Sequence, residues 1–422
     1  MPNGPPIPDS APRRFALDVV RRLRAAGFEA VWAGGCVRDA LMGFIPKDYD
    51  VATSARPDDV IEVFGTRKTI PVGACFGVII VLGQEASQGQ VEVATFRSDG
   101  SYSDGRRPDH VEFCSAEQDA LRRDFTINGM FYDPETNETI DYVGGQQDLA
   151  GGVVRAIGNP HDRIAEDKLR MLRAIRFAAR FDFELETATA AAVGSHAADL
   201  RQVSIERVAE ELRLMLRHPS RSQALRMLID SGLLAIMFPA LSQSQIETTA
   251  RLFPELKSGA FEPSLTLLLH EHLKPQEETA RARTSEIATQ CRNLKLSNAE
   301  LDAVCWLSDS FERCRSPKQL PLHELKPILA GSHVAELLSM ISAAVHAELR
   351  LEGDLHFLET YLSQATPELL TPAPLLTGDD LKALGVESGP EFSRILRHVR
   401  NAQLDELIHT RDDALSRVRD IL

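Results

Sequence analysis

The stretch Gly34-Gly35-Cys36-Val37-Arg38-Asp39, followed by Lys47-Asp48-Tyr49-Asp50, decides how this chain is read. The apolar run Ala30 to Ala33 before the glycines predicts a short strand, and Val37 to Met42 predicts the start of a helix. A glycine turn at such a junction lets backbone N–H groups approach an anion, and a helix N-terminus adds partial positive charge. Arg38 then offers a fork of donors to phosphate oxygens. In the next strand-like segment Asp48 and Asp50 are two residues apart and share a face. Paired carboxylates beside a phosphate cradle suit Mg²⁺ bridging a nucleoside triphosphate.

Around this stretch, residues 13 to 26 read as a first helix, Arg-rich on one side, and from about 28 to 143 strand-like and helical patterns alternate. Val78 to Leu82 and Val91 to Phe96 are the clearest strands, separated by the polar turn Gln84 to Gln90. Glu92 is the candidate for a third carboxylate on a neighbouring strand. Arg97 to His110 is Gly- and Asp-rich and long enough to be a functional loop, with Arg106 and Arg107 its candidate contacts. After Gly144-Gly145 the pattern is helical, with Ala165 to Phe181 and Glu206 to Arg217 as single helices and Leu225 to Met237 opening a helical run to the C-terminus.

Two further segments carry chemistry. In Leu121-Arg122-Arg123-Asp124-Phe125-Thr126-Ile127-Asn128, Asp124 can accept hydrogen bonds and Asn128 can donate and accept. In Glu166-Asp167-Lys168-Leu169-Arg170-Met171-Leu172-Arg173-Ala174-Ile175-Arg176-Phe177, a continuous helix places Asp167 and Arg170 side by side. Arg173, Arg176 and Arg180 continue on that side, within an arc of about 120°. Met171, Leu172, Ile175 and Ala179 form the packing stripe, while Leu169 and Phe177 fall inside the Arg arc. No acid intervenes between Lys168 and Arg180, so the repulsion calls for a bound anion.

In this order and at these distances, the motifs resemble those of the polymerase-β-type nucleotidyltransferases, and within them the class II tRNA nucleotidyltransferase and bacterial poly(A) polymerase family. The matches cover roughly residues 30 to 180. The resemblance implies an α+β chain: a catalytic head of mixed sheet with helices over 1–145, then an all-helical neck over 146–220 carrying base recognition. A helical body over 221–315 and a helical, RNA-binding tail over 316–422 follow. It implies that Asp48 and Asp50 hold Mg²⁺, with Glu92 catalytic beside them, and that Gly34, Gly35, Arg38 and Arg123 meet the triphosphate. By the same resemblance Asp124 and Asn128 hold the sugar, Asp167 and Arg170 read the base edge, and Arg173 and Arg176 flank the nucleotide. A flexible loop after Phe96 switches the site between nucleotides in that family.

Bulk properties are compatible with this. The 422 residues suffice for several packed units, and 43% hydrophobic with 26% charged residues is ordinary for a globular protein. No apolar run reaches about 18 residues, so no membrane span is expected. The N-terminus lacks the apolar core of a signal peptide. Six cysteines without a Cys-x-x-Cys pair argue against zinc and for a reducing cytoplasm. The net charge of −14 disfavours nucleic acid only if charge is uniform, and Lys168 to Arg180 is a local basic stripe.

The function implied is template-independent nucleotidyl transfer that completes tRNA 3′ ends to CCA from CTP and ATP. A poly(A) polymerase or an A-adding enzyme shares the same motifs. Gly73-Ala74-Cys75-Phe76-Gly77 follows the CCA-adding style, and the loop after Phe96 is not shortened as in a CC-only enzyme. A non-catalytic RNA-binding relative would have lost Asp48, Asp50 or Arg170. His270-Glu271-His272 lacks the companions of a phosphohydrolase metal site and reads as helical. Leu376-Thr377-Gly378-Asp379-Asp380-Leu381 reads as a capped helix start.

Overall fold

A computed structural model describes residues 9–73, 77–99, 111–270, 280–387 and 389–421. It forms two compact units. One holds the described residues up to Met215 with Gln223–Ala240, and the other holds Leu216–Ser222 with the described residues from Leu241 onward.

The first unit is built on a seven-stranded mixed sheet. Its strands in chain order are β1 (Ala30–Ala33), β2 (Asp50–Thr53), β3 (Thr69–Gly73), β4 (Val78–Leu82), β5 (Gln90–Thr95), β8 (Phe131–Asp133) and β9 (Glu138–Ile140). A separate ribbon pairs β6 (Arg97–Asp99) with β7 (Val111–Phe113). Spatial order in the sheet is β3-β4-β5-β2-β1-β8-β9, with β2 and β5 parallel and the other pairs antiparallel.

Both sheet faces are covered, which is why Ala30 to Ala33 is apolar throughout rather than alternating. On one face Ala30, Trp32, Val51, Ile79, Val81, Val91 and Val93 meet Phe15, Val19 and Leu23 of α1 (Ala11–Ala25). Tyr49 joins them, its ring 4.8 Å from Trp32. On the other, Val31, Ala33 and Ala52 pack with Phe96, Phe131 and Ala120, the last on α4 (Ala116–Leu121). Helices α2 (Gly35–Leu41) and α3 (Pro57–Phe64) follow β1 and β2.

Beyond the sheet come α5 (Gly145–Gly151), α6 (Pro160–Glu166), α7 (Arg170–Phe181), α8 (Thr187–Ser195) and α9 (Ile205–Arg217). The expected all-helical stretch is interrupted once, by a parallel pair of β10 (Val153–Val154) and β11 (Glu184–Leu185). The expected single helix Ala165 to Phe181 is two helices: Asp167 leaves helical geometry at φ −139° and caps α6, and α7 starts afresh at Arg170.

The described part of the second unit is helical. His270, at the end of helix Phe261–Leu269, is buried and bonds Ser308 at 3.0 Å. It packs edge-on against Phe311, a core role; Glu271 and His272 lie outside the described residues. Helix Gly378–Ala383 starts at the expected cap, with Thr377 and Asp380 closing a capping box.

Candidate active site

The strand register resolves what spacing alone left open. Asp50 opens β2 and lies directly opposite Glu92 of the parallel neighbour β5. Val51, Val91 and Val93 point into the core, so Asp50 and Glu92 share the other face with Ala52 and Ala94. Asp48 lies in the bend before β2 rather than in the strand. Tyr49 turns inward between the two aspartates, and both of these line a cleft of about 810 Å³. The small residues Ala33, Ala52 and Ala94 leave its floor open.

Asp50 is reachable by solvent yet recessed within this cleft. Its enclosure pushes the carboxyl up to about 6, with help from the charges of Glu92 and Asp48 and against that of Arg123. The donor set is hard oxygen, and its negative charge is incompletely balanced, which fits Mg²⁺. Among the described residues no group of three or more His, Cys, Asp or Glu could cage a metal unaided. A pair of carboxylates completed by waters and substrate phosphates is the usual Mg²⁺ arrangement. The nearby Cys36 thiol is pushed up to about 12 by burial and the Asp50 charge, so it stays protonated.

The glycine turn packs against the arginines. Gly34 has φ +69°, and a Cβ there would sit 3.2 Å from Arg123 Nη1. The left-handed backbone favours glycine there, and a Cβ would also make the Arg123 guanidinium give by a few tenths of an ångström. Arg38 is buried, and its fork is already engaged: Nε and Nη2 donate to Asp39 Oδ1 at 2.9 and 2.6 Å, and Nη1 donates to Asn128 Oδ1. Arg123 and Arg122 both pair with Asp119, which is 2% exposed and whose carboxyl they hold low against the effect of burial.

Asp124 and Asn128 come together as expected. Asn128 Nδ2 donates to Asp124 Oδ1 at 3.1 Å, and Arg173 grips Asp124 Oδ2 at 2.6 and 2.9 Å. Burial opposes ionisation, but the Arg173 charge and these bonds bring the Asp124 carboxyl down to about 2.

The break between α6 and α7 changes the relation of Asp167 to Arg170. They are not neighbours on one helix face. Asp167 accepts two bonds from Arg207 of α9, at 3.1 and 2.7 Å. Arg170 instead donates to Glu166 at 2.6 Å and to the Arg163 and Arg122 carbonyls. Both still line the same cleft.

The Arg stripe is not balanced by an anion alone, because acids reach it from distant positions. Arg176 pairs with Glu211 at 2.6 Å, and Arg173 with Asp124. Phe177 lies within the Arg arc because guanidiniums stack on it: Arg176 at 4.2 Å, Arg38 at 5.2 Å and Arg173 at 5.3 Å.

Arg207, Glu211, Asp119 and Asp39 were not singled out from the sequence. For Glu211 a signal existed, since it interrupts the buried stripe Val208, Leu212 and Met215 of α9. Arg106, Arg107 and Ala74 to Phe76 lie outside the described residues.

A family model described as the poly A polymerase head domain matches residues 30–155. Another, described as a probable RNA and SrmB-binding site of polymerase A, matches residues 182–244. The CCA-adding enzyme of Enterococcus faecalis is 42% identical over 419 residues, covering 92% of this chain and 92% of its own length. That of Lactobacillus helveticus is 32% identical over 410 residues, covering 95% of each. The solved structure of the Bacillus stearothermophilus CCA-adding enzyme in complex with CTP matches with a TM-score of 0.78 at 27% identity, over 97% of this chain and 98% of that one. The Thermotoga maritima CCA-adding enzyme complexed with tRNA shares the fold, with a TM-score of 0.65 at 21% identity over 97% and 94% of the two chains.

Proposed function

The chain belongs to the CCA-adding enzyme family, and on that premise we propose that it completes the 3′ end of tRNA to CCA, using CTP and ATP without a nucleic-acid template. The 3′-hydroxyl of the RNA attacks the α-phosphorus, and pyrophosphate leaves. The observation that carries this reading is that one cleft gathers Asp48, Asp50 and Glu92 with Arg123, Asp124, Asn128, Asp167 and Arg170.

Asp48 and Asp50 are the residues that would hold Mg²⁺, with Glu92 beside them. When bound, Mg²⁺ supplies charge stabilisation to the transferring phosphoryl group and makes the attacking hydroxyl more acidic. Gly34 and Gly35 let the backbone come close to the triphosphate, and Arg123 meets its charge. Arg38 acts through its bonds to Asp39 and Asn128, holding the sugar-facing amide as well as adding positive potential. Asp124 stays ionised at neutral pH and presents an acceptor to the ribose, with Asn128 as its partner. Asp167 and Arg170 offer an acceptor and a fork of donors to a base edge, each aligned by its own partner. Arg173 and Arg176 flank the nucleotide, supported by Phe177.

Among the described residues no helix is long and apolar enough to cross a membrane. A cytoplasmic setting is part of the proposal and rests on the free thiols of Cys36, Cys114, Cys291, Cys305 and Cys314.

The test uses tRNA ending before CCA, incubated with CTP and ATP separately and together, followed by sequencing of the product ends. CTP alone should give CC, and both together should give CCA and then stop. A growing A tract would replace this reading with poly(A) synthesis, and addition of A only to tRNA already ending in CC would replace it with an A-adding enzyme.

A further inference from the structure

Six of the seven arginines that line the cleft carry an ion pair, to Asp39, Asp119, Asp124, Glu166 or Glu211. The seventh, Arg180, has none among the described residues. It is exposed to the cleft near the C-terminal end of α7, with its guanidinium 5.1 Å from the Phe181 ring centre. Arg38 lies over the same ring at 4.7 Å. Phe181 and Phe177 stack nearly parallel, 6.2 Å apart, behind the two cations.

Two guanidiniums thus share one aromatic ring, and among the described residues only Arg38 has a carboxylate to offset its charge. Burial and the Arg180 charge together hold the Arg38 guanidinium below its usual range, against the pull of Asp39. Such a pair leaves the Arg180 charge available to an anion entering the cleft. An anion binding at Arg180 breaks no existing ion pair, whereas recruiting Arg173 or Arg176 must compete with Asp124 or Glu211.

We propose that Arg180 binds the terminal phosphates of the incoming nucleoside triphosphate. The assignment rests on the reading of the cleft given above, in which the base edge meets Arg170. Arg180 is ten residues further along α7, about 15 Å along the helix axis. A nucleotide lying along that helix passes Arg173 and Asp124 with its sugar and brings its phosphates to the Arg38 end, beside Gly35. The phosphodiester of the RNA primer offers the same chemistry from a second source, and the experiment separates the two.

The full chain, Arg180→Ala and Arg180→Lys are compared in three measurements: KM for CTP and ATP, calorimetric affinity for inorganic pyrophosphate, and tRNA affinity without nucleotide. Loss of one charge-assisted contact should raise both KM values about tenfold and weaken pyrophosphate by a similar factor. Arg180→Lys should recover part of both, since it keeps the charge and loses the fork. Unchanged tRNA affinity belongs to the same expected result. A fall in tRNA affinity with unmoved nucleotide KM would overturn the assignment in favour of the primer backbone. Unmoved values in all three would show a solvated side chain and overturn it outright. Pyrophosphate affinity is read without turnover. An unmodified chain that fails to extend tRNA therefore sinks the functional reading, while the ratio between unmodified and variant chains still judges Arg180.

Discussion

The Arg207 guanidinium donates to both oxygens of the Asp167 carboxylate, at 3.1 and 2.7 Å, across forty residues of sequence. A bidentate pair fixes the plane of the carboxylate as well as its position. Asp167 sits in non-helical backbone between α6 and α7. Its orientation is therefore set from α9 rather than by Arg170.

If Asp167 reads the base, Arg207→Ala should relax nucleotide choice. Incorporation of UTP and GTP relative to CTP and ATP should rise about tenfold, the value of one charged hydrogen bond. Arg207→Lys should fall between the two, because an ammonium cannot hold both oxygens in one plane. A lower melting temperature with unaltered selectivity in both variants would reduce Arg207 to a structural brace.

Asp50 carries a pH signature whose sign is fixed by its surroundings. Its carboxyl is raised from 3.8 to about 6 in the fold. Within that window the folded chain keeps a proton that the unfolded chain has released, so stability falls as pH rises and levels off above about 6. Asp50→Asn should flatten that slope, measured by denaturant midpoints across the window. Mg²⁺ affinity should weaken towards about tenfold per unit below pH 6, because a protonated carboxyl is no ligand. Asp48→Ala and Asp50→Ala should each abolish incorporation while tRNA binding persists. Full activity in either would remove the carboxylate pair from the mechanism.

Asp124 tests sugar choice. Asp124→Ala should admit dCTP and dATP at rates much closer to those of CTP and ATP, since the acceptor for the ribose hydroxyl is gone. The Asp124 carboxyl lies at about 2 in the fold, depressed from 3.8, so its contribution to stability is intact above pH 3.8 and is lost as pH falls through about 2. The variant should therefore be less stable at neutral pH, with Arg173 left only its longer ion pair to Glu211 at 3.9 Å. Retained discrimination against deoxynucleotides, read by primer extension, would move sugar recognition elsewhere.

Glu211 separates support from chemistry. Glu211 and Arg176 are both largely buried, their side chains 7% and 11% exposed. Glu211→Ala should destabilise the first unit by about 3 kcal/mol, the cost of leaving a buried cation without its partner. Glu211→Gln should cost less, because one acceptor remains. Urea unfolding of both variants checks the order, and equal midpoints for Glu211→Ala and the unmodified chain would contradict the pairing.

Much of the head, and one helix start in the second unit, was legible because the signals are local. Ala30 to Ala33 forms β1 and Val78 to Leu82 forms β4 with the expected ends. The turn at Gly34, the doublet Asp48 and Asp50, and the cap at Thr377 depend on residues a few positions apart. Backbone sterics and side-chain periodicity act over that range, so the sequence by itself determined where these elements lie, and its resemblance to a family named the polar residues that the fold brings to one cleft.

Partnership was decided by the tertiary structure. Glu92 became a neighbour of Asp50 only through the parallel register of β2 and β5. Arg207 reaches Asp167, Glu211 reaches Arg176, and Asp124 reaches Arg173 over 35 to 49 positions. A stripe read as one Arg-rich helix face is instead broken at Asp167 and neutralised by carboxylates from three other segments. Charges in a low-dielectric interior pair by distance in space rather than in sequence. For that reason the chain spells out the cleft's residue types, while the ion pairs of α7 with Asp124 and with Glu211 of α9 decide which of its arginines are spoken for and leave Arg180 without one among the described residues.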